Sequence, residues 1–138
     1  MRRLVLMVVL AASLVALTLM IGAPVGVAAP SAFRLSDHHV SLQTTTGNAA
    51  FTNESVTNTS SSTILIDYEL TGDAAWSLSG GSCDGGGYNL SIPAGVTCTI
   101  QLQLYSSLTG RFTGTLTVWE QAHPDTTSKR AGLAGKVT

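Results

Sequence analysis

Cys98 to Leu104 alternates without a break: Cys98, Ile100, Leu102 and Leu104 are apolar or small, while Thr99, Gln101 and Gln103 are polar. A period of two places one set on a buried face and the other in water, so this segment is a strand in the middle of a sheet. Upstream stands the only other cysteine, Cys83, and the stretch around it, Gly80-Gly81 and Gly85-Gly86-Gly87, supplies bends that tolerate positive φ. Two cysteines bracketing such a loop, with alternating strands to follow, read as part of a disulfide-stapled β-protein.

The staple requires an oxidising compartment, and the beginning of the chain points to one. Arg2 and Arg3 precede the uncharged run Leu4 to Ile21, and the small-residue segment Gly22 to Ala32 follows. That is the three-part layout of a secretory signal peptide. At 18 residues the run also stands at the lower limit for a membrane-spanning helix, the rival reading. Pro24 and the small residues favour cleavage, with Gly26-Val27-Ala28 allowing a cut after Ala28. No cysteine stands near this junction, which closes the lipoprotein route. The division expected is therefore a signal peptide over 1–28 and one domain over 29–138, 110 residues that make a single modest core. Closing the Cys83–Cys98 loop stabilises such a domain by roughly 3 kcal/mol in the chain-entropy treatment.

The domain then carries five basic residues (Arg34, Arg111, Lys129, Arg130 and Lys136) against eight acidic ones, a net charge of −3. Nucleic acid is excluded as a partner on this ground, because phosphate binding requires a basic patch.

No segment beyond Ile21 has helical periodicity, and the remaining strands follow from alternation and turn residues. Val40 to Thr44 comes first, with a turn at Gly47-Asn48. Ala50 to Thr57 follows, its apolar content Phe51 and Val56. In Thr63 to Leu70, Ile64, Ile66, Tyr68 and Leu70 share a face. Trp76 to Leu78 and Tyr88 to Ile92 are short. In the strand after Gly110, Phe112, Leu116 and Val118 face in, while Thr113, Thr115, Thr117 and Trp119 face out. Pro124-Asp125 marks a hairpin end, and Arg130 to Val137 is the last strand. Seven or eight short strands at this spacing predict an all-β, immunoglobulin-like antiparallel sandwich.

The order Asn58-Thr59-Ser60, Leu70-Thr71-Gly72-Asp73-Ala74-Ala75-Trp76, Cys83, Pro93-Ala94-Gly95-Val96-Thr97-Cys98, Gly110, Thr115-Leu116-Thr117-Val118 and Leu133-Ala134-Gly135 resembles the Hydin-like immunoglobulin domains. These are ASH-type β-sandwiches that include the choice-of-anchor-D repeats of bacterial secreted proteins. The resemblance spans roughly Val40 to Val137. It implies a non-catalytic sandwich used as a spacer, adhesion or interaction module, with an aromatic at Trp76 and a cysteine pair at Cys83 and Cys98.

Candidate sites are few. Asp37-His38-His39 with His123 has the donor chemistry for zinc or copper, but adjacent residues of an extended segment point apart, so loop histidines are the better reading. No G-x-S-x-G or other nucleophile turn is present, and no enzyme and no cofactor are expected. Tyr88, Tyr105 and Trp119 are expected off the core face, where an aromatic anchors a protein or a sugar ring; Trp119 is the preferred one. Asn53-Glu54-Ser55, Asn58-Thr59-Ser60 and Asn89-Leu90-Ser91 are sequons that matter only in a glycosylating host. The function expected is a secreted or cell-surface structural or binding module whose partner is a surface protein or glycan, with membrane contact only if the leader stays attached. The alternatives are a homo-oligomer formed by pairing of Val40 to Thr44 or Arg130 to Val137 as an edge strand, and a carbohydrate-binding module built on Trp119.

Overall fold

The computed structural model describes residues 31–83 and 86–138; the expected leader lies outside them. Nine strands are present among the described residues. One sheet holds β1 (Phe33–Leu35), β3 (Ala49–Asn58), β7 (Thr97–Tyr105) and β5 (Trp76–Gly80), in that order across the sheet. The other holds β2 (His39–Thr44), β9 (Lys129–Val137), β8 (Gly110–Glu120), β4 (Ile64–Gly72) and β6 (Leu90–Ile92). The fold is an immunoglobulin-like β-sandwich, as the alternation predicts. The strand beyond the predicted set is β1, three residues long and too short for a period to register.

The inward face of β7 is the predicted one, with Cys98, Ile100, Leu102 and Leu104 buried. Opposite it lie Ile64, Ile66 and Tyr68 of β4, Leu116 and Val118 of β8, and Leu133 and Val137 of β9. Trp76 shows how the two layers interdigitate. Its indole reaches from the four-stranded sheet, donates Nε1–H to the Phe112 carbonyl at 3.4 Å and is buried. It packs where the facing strands carry glycine: a Cβ on Gly135 would lie 3.3 Å from Trp76 Cζ2 and 2.7 Å from Leu104 Cδ1, and one on Gly114 would lie 3.3 Å from Trp76 Cδ1. The glycine that ends Leu133-Ala134-Gly135 thus leaves room for the bulk of Trp76 and Leu104.

Two polar residues of β3, Glu54 and Asn58, are also buried, because they share the core face with Val56 and the partly exposed Thr52. Asn58 uses its full hydrogen-bonding capacity. Its Nδ2 donates to the carbonyls of Ser62 and Ile92 at 2.8 and 2.9 Å, and its Oδ1 accepts from Ser60 N–H and Oγ–H at 2.9 and 2.8 Å. The expected polar connection after β3 is therefore an ordered loop wrapped around this side chain. Glu54, fully buried, accepts on Oε1 from Ser36 Oγ–H at 2.8 Å and from Asp37 N–H at 2.9 Å. Those two residues form the corner where the chain leaves the four-stranded sheet after β1 and enters the five-stranded sheet as β2.

Of the apolar content of β3, Val56 is buried while Phe51 belongs to the outward set and is 53% exposed, because the two lie an odd number of residues apart and a regular strand sends them to opposite faces. Two expectations are corrected. The last strand is not an edge: β9 is covered by β8 on one side and on the other by β2, the single parallel pair among the described strands. Pro124 opens a short helical turn, α1 (Pro124–Thr127), rather than a plain hairpin end. Thr127 Oγ anchors it, donating to the His123 carbonyl at 2.7 Å and accepting Glu120 N–H at 3.0 Å.

Candidate binding surfaces

The cysteines are bonded: Cys83 and Cys98 form a disulfide with their Cα atoms 5.1 Å apart. Backbone bonds hold the same loop, with Cys83 N–H on the Thr99 carbonyl at 2.8 Å. From the other sheet, Tyr68 donates its hydroxyl to the Cys83 carbonyl at 2.9 Å, and its N–H reaches the Gly87 carbonyl at 2.8 Å. The loop is thus tied to β7 covalently and to β4 by hydrogen bonds.

The aromatic candidates separate by exposure. Tyr88, at the end of this loop, is 63% exposed. Tyr105, the last residue of β7, is 47% exposed and lines a groove of about 360 Å³ with Asp73, Ala75 and Phe112. Trp119 points outward as expected but is only partly exposed, beside Asp67 of β4 and at the end of β8 where α1 folds back. The preferred sequence candidate is therefore the most covered of the three. Phe51, which the sequence reading named as apolar content of its strand without assigning it a face, stands with Tyr105 on the outer face of the four-stranded sheet. Its register partner is Gln103, and Tyr105 lies diagonally across, opposite Ala49. The signal that would have found it is strand parity alone.

His38 and His39 are exposed at the start of β2, in the row of Gly132 and Thr115. His123 lies past Glu120 at the far end of β8, lining a groove of about 420 Å³ with Leu65 and Gln121. The structure does not bring these histidines together. Among the sequons, Asn58 is buried and fully hydrogen-bonded, which closes it to glycan attachment, whereas Asn53 and Asn89 are exposed.

No family model matches the chain, and no curated protein does. Solved structures do. An ASH/PapD-like domain of human CEP192 superposes with a TM-score of 0.56 at 10% identity, covering 79% of this chain and 87% of that one. The class 5 fimbriae chaperone CfaA gives 0.58 at 11% identity, covering 77% and 56%. The E. coli chaperone DraB gives 0.54 at 9%, covering 75% and 53%. These domains share the immunoglobulin-like β-sandwich fold of this chain. This chain spans about half the length of the two chaperones, and at these identities the likeness concerns the fold alone. What remains distinctive of the chain is its own surface: a stapled frame that holds Phe51, Tyr88 and Tyr105 in water.

Proposed function

We propose that the domain is a non-catalytic binding module working outside the cytoplasm, on the cell surface or in the surrounding medium. The observation that carries this reading is the exposure of Tyr88 and Tyr105 on a frame locked by Cys83–Cys98. A rigid frame presents an aromatic at little entropic cost, which is what a binding anchor requires. The fold shared with ASH and PapD-like domains, and the sequence resemblance to choice-of-anchor-D repeats, support the same use. A signal peptide over 1–28 supplies the route to an oxidising compartment.

Two measurements test this reading. The intact mass of the native protein from its host's medium and surface fractions is expected to be two hydrogens light; a reduced protein confined to the cytoplasm overturns the location. A photo-crosslinking residue placed at Tyr88 or Tyr105 is expected to give adducts in that fraction while one at Arg130, exposed on the outer face of the other sheet, gives none. Equal labelling at all three positions leaves only a spacer.

A second reading rests on a different observation. Strand β2 is an edge of the five-stranded sheet, so its outer backbone groups are open to another strand. A concentration-dependent doubling of mass in sedimentation, abolished by Ser41→Pro, supports β2 pairing between copies.

A further inference from the structure

The outer face of the four-stranded sheet has a composition of its own. Its residues on β3, β5 and β7 are Ala, Phe, Asn, Ser, Thr, Gln, Gly and Tyr, and none is charged; Arg34 of β1, the charge on this face among the described residues, stands opposite Thr57, three rows along β3 from Phe51. Phe51 and Tyr105 stand on adjacent strands one row apart, a diagonal pair separated by roughly 7–8 Å at the backbone. Next to the Phe51 ring, in the same row, lie Gln103 and Ser77, and the next row brings Asn53 opposite Gln101. Gln101 is engaged by Ser79, whose hydroxyl donates to its Oε1 at 3.1 Å. Gln103, Asn53 and the Tyr105 hydroxyl have no side-chain hydrogen bond among the described residues.

We propose that this face binds a neutral polysaccharide, with Phe51 and Tyr105 as stacking platforms and Gln103 and Asn53 as the polar contacts beside them. A pyranose offers the matching chemistry. Its axial C–H groups are weakly positive and lie against the negative face of an aromatic ring, while its hydroxyls, at once donors and acceptors, meet the paired donor and acceptor of a side-chain amide. The absence of charge on these three strands selects against anionic polymers, which require Lys or Arg partners. It selects equally against a peptide read by its charges. Shape narrows the ligand further. An open sheet has no walls, so a single sugar buries little surface; an extended chain crossing successive rows, about 6.8 Å apart along a strand, meets both rings at once. The groove beside Tyr105 continues the track past the end of β7.

This inference deepens the binding-module reading and rests on it. The test is affinity electrophoresis of the oxidised domain through gels carrying, in turn, hydroxyethylcellulose, xylan, galactomannan, dextran and mixed-linkage β-glucan, with alginate as the anionic control. Retardation is expected with at least one neutral polymer and not with alginate. In that gel, Phe51→Ala with Tyr105→Ala is expected to lower the apparent affinity by about tenfold or more, the scale of losing two stacking contacts. Trp119→Ala is expected to bind as before. Both replaced side chains are half exposed, so the doubly substituted protein is expected to keep its melting temperature, which separates loss of the site from loss of the fold. No retardation in any neutral gel, retardation by alginate alone, or undiminished binding by the Phe51/Tyr105 variant each overturns the proposal. A dimer that dissociates on replacing Phe51 overturns it too, in favour of a protein contact on this face. Adducts at Tyr88 or Tyr105 with no polysaccharide binding would reject the glycan while leaving the module reading intact.

Discussion

The two sheets divide the work of the domain unequally. The four-stranded sheet sends Trp76, Leu104, Glu54 and Asn58 inward and shows water an outer face on which β3, β5 and β7 carry no charge, with Phe51 and Tyr105 among their residues and Arg34 of β1 at the margin. The five-stranded sheet contributes its own apolar residues to the core but differs in its recesses and on its outer face. It receives the Trp76 indole on Gly114 and Gly135, and its outer face carries Asp67, Glu69, Arg111, Arg130 and Lys136 around Thr113, Thr115 and Thr117. Mixed charge of both signs keeps a surface solvated and free of patches. Both sheets fill the interior, but among the described residues only the four-stranded one pairs an inward-reaching indole with exposed aromatic rings on its outer face.

The largest effect expected is on the interior half of this contrast. Trp76→Ala opens a cavity between the sheets and is expected to cost about 3–5 kcal/mol in denaturant unfolding. A cost near that of a surface change would mean the indole is not the spanning group. Reducing Cys83–Cys98 comes next, with an expected loss of roughly 3 kcal/mol; an unchanged melting temperature under reductant would mean that the hydrogen bonds from Thr99 and Tyr68 hold the loop alone. Gly135→Ala places a methyl against Leu104 and is expected to cost about 1–3 kcal/mol. In the Trp76→Ala background the same change is expected to cost measurably less, because the space it requires has been vacated. Strict additivity of the pair would break the picture of projection into recess. The outer-face substitutions should move stability least, within about 0.5 kcal/mol. Phe51→Ala far outside that range would place the ring in the core after all.

Much of this architecture was legible in the residues. Period-two alternation located β7 and its inward set, and the cysteine pair with its glycine-rich loop located the staple. What escaped did so for identifiable reasons. Strand β1 has three residues, and its place in the sheet is fixed by Phe33 and Leu35 packing and by pairing with Asn58, Thr57 and Val56, which no local pattern reports. The β2–β9 pairing joins segments more than ninety residues apart and runs parallel, so neither turn chemistry nor alternation announces it. Nothing in the polar types of Glu54 and Asn58 announces their burial; only the parity they share with Val56 turns them inward. The candidate surface was half legible. Tyr88 and Tyr105 were expected off the core face and stand exposed there, but Phe51 was named only as apolar content of its strand, because strand parity was not applied to it.

The parallel pair has a mechanical meaning. Residue 32 is held at the Glu120 end of the sandwich, its N–H on the Glu120 carboxyl at 2.7 Å, whereas Thr138 sits at the opposite pole, bonded to Thr44 and Thr46. Tension applied through these two points pulls β2 and β9 in opposite directions along their common axis. Their six register pairs are then loaded together, in shear, instead of being peeled apart one by one. Strand order alone thus makes the domain a stiff link for a force that runs from one pole to the other.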